Sequence, residues 1–280
     1  MTRVALIGAG LMGAGLARLF RRAGWPVSAY DPNPQALAAL AGVRHAGSLA
    51  DAVADAECVI EAASERLAIK QAIFAELAAA TGPDTILASN SSVIPVGAIT
   101  ASLDDAAAAR IIGTHFWNPP DVIPLVEVIQ GPRSGRDAII RTMAMLTAAG
   151  KEPIHVHRDT VPGNRMQHAL WREAMALVDE GVCSPEDVDH IVKRSFGLRL
   201  PVLGPLENAD LVGLELTAQI HDVVLPTLSD RTTPSPSLGT RLAAGAGGVS
   251  HGAGFHDGWT PERVAALRAR LTAHLDAMLR

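Results

Sequence analysis

Residues 3–13 read Arg3-Val4-Ala5-Leu6-Ile7-Gly8-Ala9-Gly10-Leu11-Met12-Gly13. Val4 to Ile7 is a short aliphatic run of strand character. Leu11 to Ala23 then places Met12, Leu16, Leu19 and Phe20 at helical spacing and stops at Gly24. A second aliphatic run, Val27 to Tyr30, closes on Asp31. A G-x-G-x-x-G match is weak alone, but between a strand and a helix, with an acid about 20 residues further on, it has the context of a dinucleotide site. Gly8 permits the tight turn, Gly10 lets the backbone approach a pyrophosphate, and Gly13 lets helix and strand pack closely. Leu11 and Met12 open the helix whose N-terminus attracts the phosphates. Asp31 would accept the adenine ribose hydroxyls and repel a 2′-phosphate, so NAD is expected rather than NADP.

Strand and helix patterns alternate outward from this unit. Strands are expected at Cys58 to Ala62, Thr85 to Ala88, Arg110 to Phe116, Leu125 to Ile129 and Ile154 to Val156, and Leu67, Ile69, Ile73, Phe74 and Leu77 mark a helix. Ser134 with Asp137 reads as a capping box for a helix ending at Gly150. Such alternation predicts an α/β fold, a Rossmann-type doubly wound parallel sheet. Beyond Asp159 only helices are expected: Arg165 to Glu180, then others opened by Ser184-Pro185, Pro205 and Thr260-Pro261. The chain therefore divides into an NAD-binding domain, 1–159, and an all-α C-terminal domain, 160–280. Ser229 to Ser237 and Gly245 to Gly258 read as exposed loops.

Composition narrows the partners. Lys and Arg number 24 against 29 Asp and Glu, a net charge of −5, and aromatic residues make up 4%. With no basic run and few stacking residues, nucleic acid and anionic membrane are not expected, which leaves a small-molecule substrate. Cys58 and Cys183 lie far apart in apolar segments, in keeping with a reducing, cytoplasmic compartment. The uncharged stretch between Arg3 and Arg18 imitates a signal peptide, but its glycines break the apolar region, so it is expected to be retained.

A second constellation lies at the carboxyl edge of the expected sheet, where open α/β folds bind ligands. Ser89-Asn90-Ser91-Ser92 follows one strand; His115 ends another and precedes the rigid turn Phe116-Trp117-Asn118-Pro119-Pro120. Glu127 is the only charge in Leu125 to Ile129, and a buried carboxylate needs a partner. His115 with Glu127 has the parts of a general base and the acid that orients its ring.

Together with the glycine motif, Glu65 to Lys70, Ala88 to Ser92, Gly113 to Pro119, Leu125 to Ile129, Pro162-Gly163-Asn164-Arg165 and Gly204-Pro205-Leu206 resemble the L-3-hydroxyacyl-CoA dehydrogenase family over nearly the whole chain. The resemblance implies an NAD-dependent oxidoreductase in which His115 takes a hydroxyl proton, Glu127 is its partner, and Ser92 and Asn164 bond the substrate oxygen. It also implies Glu65, Lys70 and Asn90 along the cofactor channel, with Asn118 on the substrate side.

Three departures bear on the substrate. The coenzyme A enzymes carry a long helical arm between the second and third strands, whereas here Pro32 to Ala56 fills that space. The family's segment before the asparagine is shortened to Pro162-Gly163-Asn164. Trp117 to Pro124 and Gly197 to Pro205 are closer to the branches acting on free hydroxy acids such as L-gulonate, carnitine and a pyridine carboxylate. Arg199 is the candidate for a substrate carboxylate, weighed against an ordinary solvated arginine. His155 and His157 share a strand face, but with no third ligand near in sequence a metal is not expected. Met166 to Val178 offers an apolar face for a homodimer. Two alternatives remain: the 3-hydroxyisobutyrate and 6-phosphogluconate dehydrogenases, against which His115 and Glu127 argue, and an NAD(H)-binding protein with little or no turnover, like the lens crystallins, which only the shortened segment supports.

Overall fold

Val4–Ile7 (β1) is buried throughout, yet alternate residues serve different cores: Val4 and Leu6 join one apolar cluster, Ala5 and Ile7 the other. Successive side chains of a strand point to opposite faces, so a strand apolar throughout must sit in a sheet covered on both sides. The computed structural model, which describes residues 2–279, shows that sheet. It continues through α1 (Leu11–Arg22), β2 (Val27–Tyr30), α2 (Pro34–Ala38), β3 (Arg44–His45), α3 (Leu49–Val53), β4 (Cys58–Glu61), α4 (Leu67–Ala80), β5 (Ile86–Ser89), α5 (Val96–Ile99), α6 (Asp105–Ala109), β6 (Ile111–Phe116), β7 (Leu125–Ile129), α7 (Arg136–Ala148) and β8 (Glu152–Val156). The strand order is β3-β2-β1-β4-β5-β6-β7-β8. Leu16, Leu19 and Phe20 of α1 and Leu146 of α7 pack on one face; Val53 of α3, Phe74 and Leu77 of α4 and Ile99 of α5 pack on the other.

Six strands are parallel, as the alternation predicts, but β7 runs antiparallel to β6 and β8 is parallel to β7. The connection 117–124 is too short for the roughly dozen residues a parallel crossover needs, so β6 and β7 form a hairpin. β3 is a two-residue strand with no sequence signal. Ser134 does not cap α7: Gly135 is the N-cap, and the Ser134 hydroxyl accepts from the Gly131 amide and donates to the Ile111 carbonyl.

Two compact units divide between Asn164 and Arg165. The second is helical: α8 (Pro162–Asp179), which starts before the division, α9 (Pro185–Arg194), α10 (Pro205–Val212), α11 (Leu214–Val224), α12 (Pro236–Ala243) and α13 (Pro261–Met278). The stretch read as an exposed loop from Ser229 to Ser237 is less open than expected. Ser235 is buried on the Asp179 carboxylate, and α12 begins at Pro236. In this unit Ala176 and Val188 are the buried apolar residues among those described.

Candidate active site

The glycines of the first turn divide into two that are crowded and one that is open. A Cβ on Gly8, whose φ is +104°, would lie 2.6 Å from the Ala62 carbonyl oxygen, and one on Gly13 would lie 2.0 Å from that of Gly8. A Cβ on Gly10 would meet nothing within 4 Å, so space lies in front of the turn at the start of α1. Leu11, the first residue of α1, is 73% exposed beside it, and Met12 is partly buried. The Asp31 carboxylate accepts the Ala9 amide at 2.7 Å and the Asn33 amide at 2.8 Å, which fixes its charge at the end of β2 against the glycine turn. An open turn, a helix N-terminus and an anchored acid fit a dinucleotide of the NAD type.

Next along the carboxyl edge lies a buried ion pair. Lys70 on α4 is 1% exposed and donates to both oxygens of Glu61, which is fully buried, at 2.8 and 3.0 Å. Glu61 also accepts the Ser89 hydroxyl at 2.8 Å and the Ala63 amide at 2.7 Å, so its buried charge is fully bonded. Lys70 further contacts Glu65 Oε2 at 3.2 Å. The other oxygen of Glu65 accepts the Ser91 hydroxyl and the amides of Ser92 and Val93. Burial works to raise the Glu65 carboxyl, but Ser91 and Lys70 outweigh it and hold the group below its ordinary value. Lys70 thus faces two carboxylates of its own chain, while Glu65 remains at the surface. Asn90 is buried, its Oδ1 accepting the Phe116 amide at 3.1 Å.

His115 and Glu127 meet directly. They are opposite residues of the β6–β7 pairing, and His115 Nδ1 lies 2.7 Å from Glu127 Oε2. Both are buried, at 4% and 1% exposure. Glu127 Oε1 accepts the Gly163 amide at 2.8 Å. Burial would raise the Glu127 carboxyl, but the bonds from His115 and Gly163 hold it below its ordinary value, ionised. A carboxylate accepts only, so Nδ1 donates in this bond, and Nε2 is left without a partner among the described residues. The Trp117 ring stands edge-on to the imidazole, with centroids 5.3 Å apart. A Cβ on Gly163 would fall 2.5 Å from that ring, so only glycine brings this amide onto Glu127.

The shortened segment also delivers Asn164, whose Nδ2 donates to the Ser92 carbonyl at 2.8 Å. Ser92, Asn164, His115 and Glu127 therefore belong to one connected neighbourhood of the first unit. Asn118 is exposed in the hairpin turn. Arg199 is exposed in the second unit, its side chain unbonded among the described residues. Sequence reasoning passed over Glu61 and Gly15, and quoted Gly163 within a family segment without giving it a role. Glu61 carried the signal that flagged Glu127, a lone charge in an apolar run; Gly15 carried none, and nothing local to Gly163 showed that its amide meets Glu127.

The profile of the 3-hydroxyacyl-CoA dehydrogenase NAD binding domain matches residues 3–45 and 38–160, and that of the family's C-terminal domain matches 162–258. The chain belongs to the 3-hydroxyacyl-CoA dehydrogenase family. It is accordingly an NAD-dependent dehydrogenase acting on a CH–OH group. The two NAD-domain matches overlap at 38–45, in the short connection between β2 and β4. This family member is 32% identical to the 5-formyl-3-hydroxy-2-methylpyridine 4-carboxylate 5-dehydrogenase of Mesorhizobium japonicum, over 99% of this chain and 97% of that one. It is 36% identical to the L-carnitine dehydrogenase of Streptomyces coelicolor, over 76% of this chain and 74% of the other. Among solved structures, a 5-formyl-3-hydroxy-2-methylpyridine 4-carboxylic acid 5-dehydrogenase, described as an NAD+-dependent dismutase, superimposes with a TM-score of 0.93 at 32% identity. That match covers 100% of this chain and 98% of the other. The leaning toward free-acid branches read from the sequence agrees with these relatives.

Proposed function

We propose that this dehydrogenase oxidises a hydroxyl group on a small free carboxylic acid, or reduces the matching carbonyl, with His115 as general base. The observation that carries the reading is the buried 2.7 Å bond between His115 and Glu127, which leaves Nε2 free to take a proton. As the alcohol is oxidised, its hydroxyl proton passes to Nε2 while Glu127 stabilises the imidazolium through Nδ1–H. When bound at the glycine turn, NAD would supply the acceptor for the hydride leaving the carbinol carbon. The Asn164 amide and the Ser92 hydroxyl would bond the substrate oxygen, a reading supported by the Asn164 Nδ2 bond to the Ser92 carbonyl that joins the two segments. The same base would serve a hydrated aldehyde, whose added hydroxyl gives up its proton in the same way.

Gly8, Gly10, Leu11, Met12 and Gly13 would receive the pyrophosphate, and Asp31 the adenine ribose. Glu65 would line the cofactor path, held there by Lys70, and Asn90 would fix the loop after β5. Between β2 and β4 the chain builds two short helices and a two-residue strand, not the arm of the coenzyme A enzymes, which supports a free acid. Arg199 is the candidate for its carboxylate, and Asn118 is a candidate on the substrate side. Gly163 on Glu127 and Asn164 on the Ser92 loop support turnover over binding alone.

NADH appearance is to be followed with NAD over 3-hydroxybutyryl-CoA, free 3-hydroxybutyrate, L-gulonate, carnitine and hydroxymethyl- and formyl-pyridine carboxylates, with His115→Ala as control. Turnover of a free acid that is lost in the variant supports the reading. Turnover of the thioester alone overturns its substrate class, and an active His115→Ala overturns its base.

The second unit suggests a homodimer. Val202, Leu206, Leu211 and Val223 are largely exposed in a unit with little buried apolar residue of its own, and a second copy would cover such a surface. A monomer mass by light scattering would overturn this. No helix among the described residues is long and apolar enough to cross a membrane. Free Cys58 and Cys183 fit a reducing cytoplasm.

A further inference from the structure

The connection 117–124 joins the strand bearing His115 to the strand bearing Glu127, and its far end is fastened to α1. The Arg18 guanidinium forks onto Asp121, Nε to Oδ2 at 2.8 Å and Nη2 to Oδ1 at 3.0 Å. Arg22, one helical turn on, donates to the Asp121 carbonyl, and Lys151 donates to the Ile123 carbonyl at 2.7 Å. Just before them in the chain, Pro120 sits so close to α1 that a Cβ on Gly15 would lie 2.4 Å from Pro120 Cγ. Asp121 is held well below its ordinary range by Arg18, against the effect of burial, so the fork is ionised.

In the sheet β6 is tied to β1 through β5 and β4. The hairpin connection makes a direct link from the acid–base pair to the helix whose first turn would receive the cofactor. The fork's stabilising effect on the fold is small, because Arg18 is 58% exposed and such pairs are screened. Its geometry is nonetheless specific, since a bidentate guanidinium–carboxylate pair fixes orientation as well as distance.

We propose that Arg18 and Asp121 are positioning residues for the reaction: with Gly15 and Pro120 they lock the His115–Glu127 hairpin to α1 and so set the base at its working distance from the nicotinamide. The proposal rests on the reading of His115 as the base. Hydride and proton transfer need near-attack geometry, and misplacement by about 1 Å from a remote mutation can cost on the order of a hundredfold.

The test compares Arg18→Met, Asp121→Asn, Gly15→Ala and the swapped pair Arg18→Asp with Asp121→Arg, on the best substrate of the panel above. Readouts are kcat, the NADH dissociation constant by fluorescence, and the isotope effect with the substrate deuterated at the carbon that gives up the hydride. The expected result is a kcat lowered roughly ten- to hundredfold in each single variant, with a raised isotope effect and unchanged NADH affinity. Partial recovery is expected in the swapped pair. Gly15→Ala probes the lock by steric means, on a helix whose own propensity alanine improves. Unchanged kcat in both Arg18→Met and Asp121→Asn overturns the proposal, as does a loss matched by lost NADH affinity and not recovered by the swap. His115→Ala separates the two readings. An inactive His115→Ala beside active Arg18 and Asp121 variants sinks only the lock, whereas an active His115→Ala, or no turnover by the unsubstituted protein, sinks both.

Discussion

His115 and Glu127 face each other across the β6–β7 ladder, with Nδ1 and Oε2 2.7 Å apart. Opposite residues in antiparallel strands project from the same face, so the bond needs no reach from a flexible loop. This explains why the hairpin interrupts an otherwise parallel sheet where it does. Turning the chain back after Phe116 places a carboxylate beside the histidine, and Gly163 then closes its remaining oxygen.

His115→Ala should lower kcat by roughly 10² to 10⁴, the range for loss of a general base, with little change in NADH affinity. Glu127→Gln should also lose activity, because an amide can accept from Nδ1–H but cannot balance the imidazolium charge. Steady-state kinetics beside an NADH titration separate these effects. A fall in cofactor affinity equal to the fall in kcat would place His115 in the cofactor site instead.

Asp31→Asn should narrow the preference for NAD over NADP, since the negative charge at the end of β2 is removed while an acceptor is kept. Hydrogen bonds to charged groups contribute about 1.5–3 kcal/mol, so a rise of roughly ten- to hundredfold in KM for NAD is expected. The ratio of kcat/KM for the two cofactors is the measurement. An unchanged ratio would mean that Asp31 serves only to hold the Ala9 and Asn33 amides.

Much of this site was legible in sequence because its signals are local. Gly8, Gly10, Gly13 and Asp31 follow a strand–turn–helix order that a reader meets in one pass, and Glu127 stands out as one charge in an apolar run. What was missed depends on residues far apart in the chain. Gly15 matters because Pro120 arrives against it, and Gly163 because Trp117 and Glu127 do. The family resemblance puts Lys70 along the cofactor channel, but nothing in the sequence shows that Glu61 lies beneath it. The antiparallel β7 could have been inferred from the short 117–124 connection, whereas β3, two residues long, has too little pattern to be seen.

Lys70→Met should destabilise the fold by about 3–5 kcal/mol, because it strands the Glu61 charge in the core. The double variant Glu61→Gln with Lys70→Met should recover much of that loss, since removing both charges removes the desolvation cost as well. Urea unfolding of the three proteins checks this. Equal destabilisation of the single and double variants would show that packing of the Lys70 stem, not its charge, is what counts.

Lys151 gives a prediction in pH. Burial pushes its ammonium down to about 8 from 10.5, with Arg22 adding to the effect and Asp121 opposing it. In the unfolded chain the lysine keeps its proton until about 10.5. Between these values the unfolded state binds more protons than the native one, so this group makes stability rise with pH across that window and weighs fully against the fold below it. Lys151→Met lacks the titration. The stability of the unsubstituted protein relative to the variant should therefore increase between about pH 7 and about pH 10, read as the difference in urea midpoints. A difference that stays flat would mean that the Lys151 ammonium keeps its charge against the Ile123 carbonyl at every pH in the range.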